Sequence, residues 1–174
     1  MKTKLNEVWI ELKPSNIVKG EVGVFAVRKI LKGWKVCPSN SDSEDFITKE
    51  ELQTLSPELQ EKVKKYSAWD ERGYSIDPGI DFNELTTSYY FNHSCAGNLG
   101  FDNKGDFIAI RDIKKGEELS YDYGLVEADP EFKFECQCRT SECRKIITGN
   151  DRKNKDFQNR NLEYFHPDIR KLFE

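Results

Sequence analysis

Three cysteines in the last third of the chain have the types and spacing of metal ligands. Cys136 and Cys138 are separated by one residue, and Cys143 follows after four more. Two thiolates at a tight turn can lie around one ion, and a third can approach from the far side of the loop. Because Zn²⁺ favours four tetrahedral ligands and soft sulfur, the pattern predicts a structural zinc site that needs one more ligand.

The fourth ligand must come from elsewhere in the sequence. Cys95 is the predicted one because it ends a second short signature, Asn92-His93-Ser94-Cys95. His93 and Cys37 are alternatives, and free thiols on a loop are another interpretation of the cluster. The odd count of 5 cysteines and the lack of a signal-peptide pattern near Met1 favour metal ligation over disulfides. We therefore expect an intracellular protein, cytoplasmic or nuclear, with an exported effector that has no visible signal as the alternative.

Composition limits the classes of protein that this chain can be. With 174 residues, 37% of them hydrophobic, we expect one main domain with a small C-terminal appendix. The net charge of -4 and a pI near 5.4, without a long basic run, argue against direct binding of nucleic acid. No stretch is long and apolar enough to span a membrane. A cationic peptide or protein partner is compatible with this charge, and monomer and dimer are both open.

A predicted hairpin joins two signatures that can build one site. The run Glu117-Glu118-Leu119-Ser120-Tyr121-Asp122-Tyr123 follows the first signature, and Asp106–Arg111 between them is the clearest strand. Upstream, Val8–Leu12 and the β-branched Val22–Val27 are predicted strands, the second more deeply buried.

The chain also contains a weak internal repeat. Residues Ala26–Val36 and Ala109–Leu119 both consist of a strand, a polar turn closed by Gly33 or Gly116, and a second strand. We interpret them as two similar strand-turn-strand units of one β fold, because two isolated copies cannot form a solenoid.

Residues 48–66 have a helical pattern instead. Thr48 with Glu51 forms a predicted capping box, and Ser56-Pro57 starts a second helix with proline in its first turn. Five side chains at helical spacing are predicted to pack on the sheet: Leu52, Leu55, Leu59, Val63 and Tyr66.

The C-terminal quarter is predicted to change character twice. Glu127–Glu131 reads as an acidic linker before the cysteine cluster, and 150–161 is a polar run. A short helix begins at Pro167. Its apolar residues are predicted to dock on the main domain: Ile169, Leu172 and Phe173.

Taken together and in this order, the motifs resemble the SET-domain protein lysine methyltransferases that carry a post-SET zinc motif. The resemblance covers roughly residues 8 to 149 and includes Val22–Ala26, Asn92–Cys95, Gly116–Gly124 and the cysteine cluster. It implies a mostly β, β-clip-like fold of several small antiparallel sheets, in which Glu118–Tyr123 threads a loop closed near Asn92–Cys95 as a pseudoknot.

The resemblance also implies a division of the chain. Residues 1–126 would be the SET domain, with a helical insert at about 45–70 that shapes the substrate groove. Residues 127–149 would be the post-SET zinc-binding segment, and 150–174 a helical tail packed on the domain. The metal ligands would be Cys95, Cys136, Cys138 and Cys143.

Site roles are implied residue by residue. Asn92 and His93 would hold S-adenosylmethionine, with Tyr123 as the catalytic tyrosine beside it. Backbone contacts to the amino-acid end of this methyl donor would come from Val22, Gly23, Val24 and Phe25. The lysine channel would be completed by Tyr121 and by Tyr66, for which Tyr74 is the competitor. A tyrosine at 121 implies a bias toward monomethylation, with dimethylation also open.

Two positions depart from the family pattern. Glu21 stands where many members have the first glycine of a Gly-x-Gly turn, although Gly20 precedes it. Ala96-Gly97 replaces the usual residue-proline pair before Asn98. The first departure bears on the geometry of the cofactor loop.

Three functions follow from these features. The leading prediction is an S-adenosylmethionine-dependent protein lysine N-methyltransferase acting on a histone or another protein. The alternatives are a catalytically silent SET-like module that binds a peptide, and a small zinc-stabilised interaction domain without a cofactor. A Cys/His hydrolase is disfavoured because His93 and Cys95 are too close in sequence for a base to be aimed at a nucleophile.

Overall fold

Three small sheets and several short helices make up the protein. A computed structural model describes residues 7–38 and 45–173. The strands are β1 (Ile10–Pro14), β2 (Val22–Ala26), β3 (Lys35–Cys37), β4 (Asp45–Ile47), β5 (Trp69–Asp70), β6 (Gly73–Ile76), β7 (Asn92–His93), β8 (Leu99–Phe101), β9 (Phe107–Ala109), β10 (Glu118–Tyr121), β11 (Lys133–Glu135) and β12 (Ile146–Thr148). The helices are α1 (Lys49–Thr54), α2 (Pro57–Tyr66), α3 (Lys155–Asn161) and α4 (Pro167–Lys171). Within the described ranges, no helix has the length and hydropathy that crossing a bilayer requires.

The largest sheet positions the two sequence signatures. Its strand order is β1-β2-β10-β8-β9-β3, and β7 also pairs with β10. The hairpin β8–β9 is antiparallel, as predicted, and β2 lies between β1 and β10. β2 is buried from Gly23 to Ala26: β1 and β10 pair with its two edges, and Val24 and Ala26 pack in the core. One core packs on this sheet and includes Val24, Ile30, Phe91, Leu99, Ile113 and Leu119.

β10 threads the loop that follows the first signature. It runs parallel to β7 and to β8, pairing Tyr121 with His93 and with Leu99. The Ser94 N–H donates to the Tyr121 carbonyl at 3.0 Å. A Cβ on Gly97 would lie 2.7 Å from the Tyr121 Cα, so only glycine allows this approach without a backbone shift. The predicted mostly β fold with a threaded strand is confirmed.

The internal repeat is confirmed as two similar units, and the units pair with each other. Ile30 and Ile113 exchange two backbone hydrogen bonds of 2.9 and 2.8 Å. The Gly33 N–H donates to the Ala109 carbonyl, and the equivalent Gly116 N–H donates to the equivalent Ala26 carbonyl, both at 2.7 Å. Both glycines have a φ of 82°, the left-handed conformation that glycine adopts without a steric cost. The two copies are therefore related by an approximate two-fold axis.

The helical insert has the predicted capping and most of the predicted packing. Thr48 and Glu51 form the reciprocal capping box, and the Ser56 side chain accepts the Leu59 N–H. Leu52 and Val63 are buried, but the prediction for Leu59 is wrong, because its side chain is 43% exposed. The chain ends α1 at Thr54 and restarts at Pro57, so the second helix presents a different set of positions to the sheet.

The first part of the acidic segment after β10, Glu127 to Asp129, is buried, contrary to the linker prediction. Glu127 and Asp129 are only 5% and 6% exposed. Glu127 Oε1 accepts the N–H groups of Ala128 and Asp129 at 2.9 and 2.7 Å, and the Ala128 N–H also lies 2.9 Å from the Trp69 carbonyl. These local N–H donors allow a carboxylate to be buried where the sequence suggests a solvated charge.

The C-terminal tail forms a second core with the end of the sheet. α3 falls inside the predicted polar run and buries Phe157, and α4 buries Ile169 as predicted. The Phe173 ring packs on Phe165 with centroids 4.8 Å apart. Docking of Leu172 is a wrong prediction: this residue is 38% exposed, because α4 ends one residue earlier. The members of this second core are Phe101, Leu125, Ala128, Phe157, Phe165 and Ile169.

Candidate functional site

Four thiols converge at the junction of the β7 loop and the C-terminal segment. The Sγ atoms of Cys95, Cys136, Cys138 and Cys143 all lie within 4.8 Å of one another. Cys95 and Cys136 are 3.8 Å apart. Tetrahedral Zn²⁺ with Zn–S bonds of about 2.3 Å requires sulfurs about 3.8 Å apart, so this donor set fits zinc. Cys95, not Cys37 or His93, completes the cluster.

His93 connects the thiol cluster to Tyr123. Its Nε2 lies 3.4 Å from the Cys95 Sγ, and its Nδ1 accepts the Tyr123 N–H at 3.1 Å. Burial lowers the pKa of His93 to about 4, so the ring is neutral at physiological pH. Because Nδ1 is an acceptor, the single proton belongs on Nε2 and faces sulfur. Both ring nitrogens are thus engaged within the protein.

An arginine next to the last cysteine fixes the end of β10. Arg144 donates two hydrogen bonds to Asp122, from Nη1 to Oδ2 at 2.5 Å and from Nη2 to Oδ1 at 2.7 Å. The Arg144 N–H also lies 3.4 Å from the Cys95 Sγ. Asp122 stands between Tyr121 and Tyr123, so this bidentate pair joins the cysteine segment to the tyrosine pair. Sequence reasoning missed Arg144, because nothing in its local pattern indicates a partner 22 residues away.

The three predicted tyrosines line one cavity of about 220 Å³. Tyr66 comes from the last turn of α2, whereas Tyr121 and Tyr123 come from β10 and the turn after it. The rings of Tyr121 and Tyr123 are 4.8 Å apart. Tyr66 lines this cavity, whereas its competitor Tyr74 is not among the described residues that line it.

Burial keeps the phenols of Tyr121 and Tyr123 in their neutral form. It raises the pKa of Tyr121 and of Tyr123 well above the ordinary range, since a buried phenolate would lose its solvation. The Tyr123 hydroxyl donates to the Phe91 carbonyl at 3.1 Å. This hydrogen bond fixes the orientation of the hydroxyl, and therefore of its oxygen lone pairs, at the edge of the cavity.

Asn92 and the β2 residues meet around a buried carboxylate. The Asn92 Nδ2 donates to the Val22 carbonyl at 2.9 Å and to Glu118 Oε1 at 3.1 Å. Glu118 also accepts from the Ser15 hydroxyl at 2.7 Å, and a Cβ on Gly23 would overlap its carboxylate. Gly23 is thus required by this close approach. The next two predicted residues, Val24 and Phe25, are buried, and each pairs with a strand on both sides.

Glu127 is a cavity residue that sequence reasoning missed. It lines the same cavity as the tyrosines, and burial raises its pKa from 4.5 to about 7. The titratable groups around it are Asp129, Tyr121, Tyr74 and Arg152. It lies three residues after Gly124 in an acidic run, where the sequence offers no signal other than charge.

This buried carboxyl predicts a specific dependence of stability on pH. A raised folded-state pKa stabilises the protein below the unfolded pKa, and this contribution is lost as pH rises through about 7. Glu127→Gln keeps the acceptor oxygen and removes the titration. Between pH 4.5 and 8 the free energy of unfolding of the variant should therefore gain up to about 3 kcal/mol relative to the original protein. Urea unfolding at several pH values measures this, and parallel curves for the two proteins would contradict it.

A family model supports the grouping of these features. The model described as "SET domain" matches residues 21–124, which is more than half of the chain. The match spans β2 to the turn after β10 and includes Asn92, Tyr66, Tyr121 and Tyr123. The chain belongs to the SET-domain family, and the cysteine cluster that follows the match has the composition of a post-SET zinc motif.

Several curated proteins are similar to parts of this chain. Histone-lysine N-methyltransferase 2D of Homo sapiens is 44% identical over 63 residues, which is 32% of this chain and 1% of that protein. Histone-lysine N-methyltransferase ash1 of Drosophila melanogaster is 33% identical over 175 residues, 85% of this chain and 8% of that protein. Histone-lysine N-methyltransferase Su(var)3-9 of Drosophila melanogaster is 28% identical over 152 residues, 72% and 23% respectively. The chain thus spans less than a quarter of the length of each of these relatives.

Proposed function

We propose that this protein is an S-adenosylmethionine-dependent protein lysine N-methyltransferase, with a histone as its first candidate substrate. The observation that carries the proposal is the cavity in which Tyr66, Tyr121 and Tyr123 meet, which is also lined by Phe91, the residue before Asn92. Relatives named histone-lysine N-methyltransferases support the substrate class, and membership in the SET-domain family supports the reaction.

The methyl donor would be held where the two signatures meet β2. Asn92, fixed by Val22 and Glu118, and the backbone of Val22 to Phe25 would contact its amino-acid end. His93 would contribute its backbone, because both nitrogens of its ring already contact Cys95 and Tyr123. When bound, S-adenosylmethionine supplies a methyl group on a positively charged sulfur, which an amine can displace in line.

The aromatic cavity suits a neutral amine rather than an ammonium ion. Free lysine has a pKa of about 10.4, and both desolvation and a neighbouring positive charge lower that value. Tyr123 stays protonated, with its hydroxyl anchored on the Phe91 carbonyl, so its oxygen can accept a hydrogen bond from the amine and orient it. Alignment of this kind can remove about 7 kcal/mol or more of an activation barrier.

The hydroxyl of Tyr123 provides the direct test of this function. Tyr123→Phe should reduce methyl transfer about a hundredfold, because the amine loses its orienting partner. The measurement is transfer of radiolabel from S-adenosylmethionine to recombinant histones and to a cell extract. Tyr164→Phe, a phenylalanine exchange at a residue that does not line the described cavity, is the control.

A silent peptide-binding module is the outcome that would replace the enzyme. It would be indicated by absence of labelled protein together with absence of S-adenosylhomocysteine binding in calorimetry. Retained peptide binding in that case would support a module that uses the same groove without catalysis.

Tyr121 should limit the number of methyl groups transferred. Its buried hydroxyl occupies space beside Tyr123 that a second methyl group would need, which favours monomethylation. Tyr121→Phe should therefore raise the di- and trimethylated fractions of the product, measured by mass spectrometry of the modified peptide. An unchanged distribution of products would contradict this role.

We further infer that the four cysteines bind one structural Zn²⁺ ion. Such an ion would hold β11, whose Phe134 ring lies 5.3 Å from His93 and 5.9 Å from Tyr123, against the site. Cys138→Ser should lower the zinc content and speed proteolysis between residues 130 and 149, because ligand binding supplies folding energy there. Elemental analysis and limited proteolysis measure both effects. Cys37→Ser, in β3 and outside the cluster, should change neither.

A further inference from the structure

Glu21, which departs from the family pattern, pairs with a lysine of the helical insert. Both Glu21 carboxylate oxygens lie within hydrogen-bond distance of the Lys65 Nζ, at 3.2 and 3.1 Å. The two residues are 44 positions apart and belong to different elements: the loop before β2 and the last turn of α2. The ion pair therefore joins this loop to the helical insert.

The backbone of Glu21 is held in place. Its N–H donates to the Val18 carbonyl at 3.3 Å, and its carbonyl accepts the Ser15 N–H at 2.9 Å. The preceding Gly20, with a φ of 87°, supplies the left-handed conformation of the turn. The Glu21 carboxylate is thus presented by a closed loop rather than by a freely moving one.

The pair lies beside the proposed donor contacts. Val22, the next residue after Glu21, offers the carbonyl that the Asn92 amide contacts. Lys65 lines the cavity together with Tyr66 and Tyr123. The Glu21 charge also contributes to the raised pKa of Tyr123, as expected for a carboxylate near that phenol. Both ends of the pair are therefore close to where a donor would bind.

Stability alone gives little reason for this pair. The Lys65 and Glu21 side chains are 45% and 46% exposed. Ion pairs this exposed typically contribute about 0 to 1 kcal/mol to folding. An amino acid, in contrast, carries an ammonium and a carboxylate a few bonds apart, and such a zwitterion can satisfy both partners at once.

We propose that Glu21 and Lys65 form a charge clamp for the amino-acid end of the methyl donor. The Glu21 carboxylate would bind the ammonium group of the donor, and the Lys65 ammonium would bind its carboxylate. This inference rests on the proposed function and assigns to Glu21 the role of a binding residue. It makes the pair a determinant of specificity for ligands that retain the amino-acid portion.

Two ligands that differ only in that portion test the clamp. S-adenosylhomocysteine carries the zwitterion, whereas 5′-methylthioadenosine keeps the adenosine and sulfur without it. Glu21→Gln and Lys65→Met should each weaken S-adenosylhomocysteine about tenfold, the effect of losing one partly exposed charged hydrogen bond. Both variants should bind 5′-methylthioadenosine as the original protein does, which also shows that they are folded. Isothermal titration calorimetry provides the dissociation constants.

Lys32→Met is the matched control, since it removes an exposed lysine from the turn that Gly33 closes. It should leave both affinities unchanged. Equal losses for the two ligands, unchanged affinities, or tighter binding of S-adenosylhomocysteine by the variants would each overturn the clamp. If the original protein and both variants bound S-adenosylhomocysteine with the same affinity, the clamp would be wrong and the proposed function would stand. If the original protein bound neither ligand, the proposed dependence on S-adenosylmethionine would fail with it.

Discussion

The double-sided backbone pairing of β10 is the constraint on which the site depends. The Tyr121 carbonyl accepts the Ser94 N–H, and the Ser120 carbonyl accepts the Asn98 N–H. β10 is therefore hydrogen bonded to both ends of one short loop. A shift of one residue in this register would exchange the faces of every β10 side chain. It would also break the two-sided contact that Gly97 permits. The positions of the tyrosines relative to Asn92 therefore follow from backbone geometry before any side chain contributes.

Features determined by local sequence were predictable. The capping box at Thr48, the proline at the start of α2 and the apolar content of β2 each depend on neighbours a few residues away. The cysteine cluster was predictable because metal chemistry restricts ligand types, and because Cys95 ends the signature that begins at Asn92. The mutual pairing of the two repeat copies was not predictable, since similarity between segments does not reveal whether they touch.

Burial of charge was the main feature that sequence reasoning could not recover. Glu127 and Asp129 look like solvated residues, yet their carboxylates accept backbone N–H groups in their own turn and lie under β5. The role of Arg144 likewise could not be predicted, because its partner Asp122 is 22 residues away in the sequence and meets it only in the folded protein. The exposure of Leu59 shows the converse case, in which a break between helices changes which positions face the sheet. These outcomes depend on partners that are distant in sequence.

The approximate two-fold pairing of the repeat separates the β framework of the protein from the segment that would contact a substrate. Gly33 and Gly116 each donate an equivalent hydrogen bond to the other copy. The chain between the two copies therefore begins and ends at segments that are hydrogen bonded to each other. Lengthening a loop with fixed ends costs only about 0.6 kcal/mol per doubling. The insert with α1 and α2 lies in this interval. A new groove for a different peptide can therefore arise by replacing only the part of this interval that contains α1 and α2, while β7, β8 and the threaded strand keep their places.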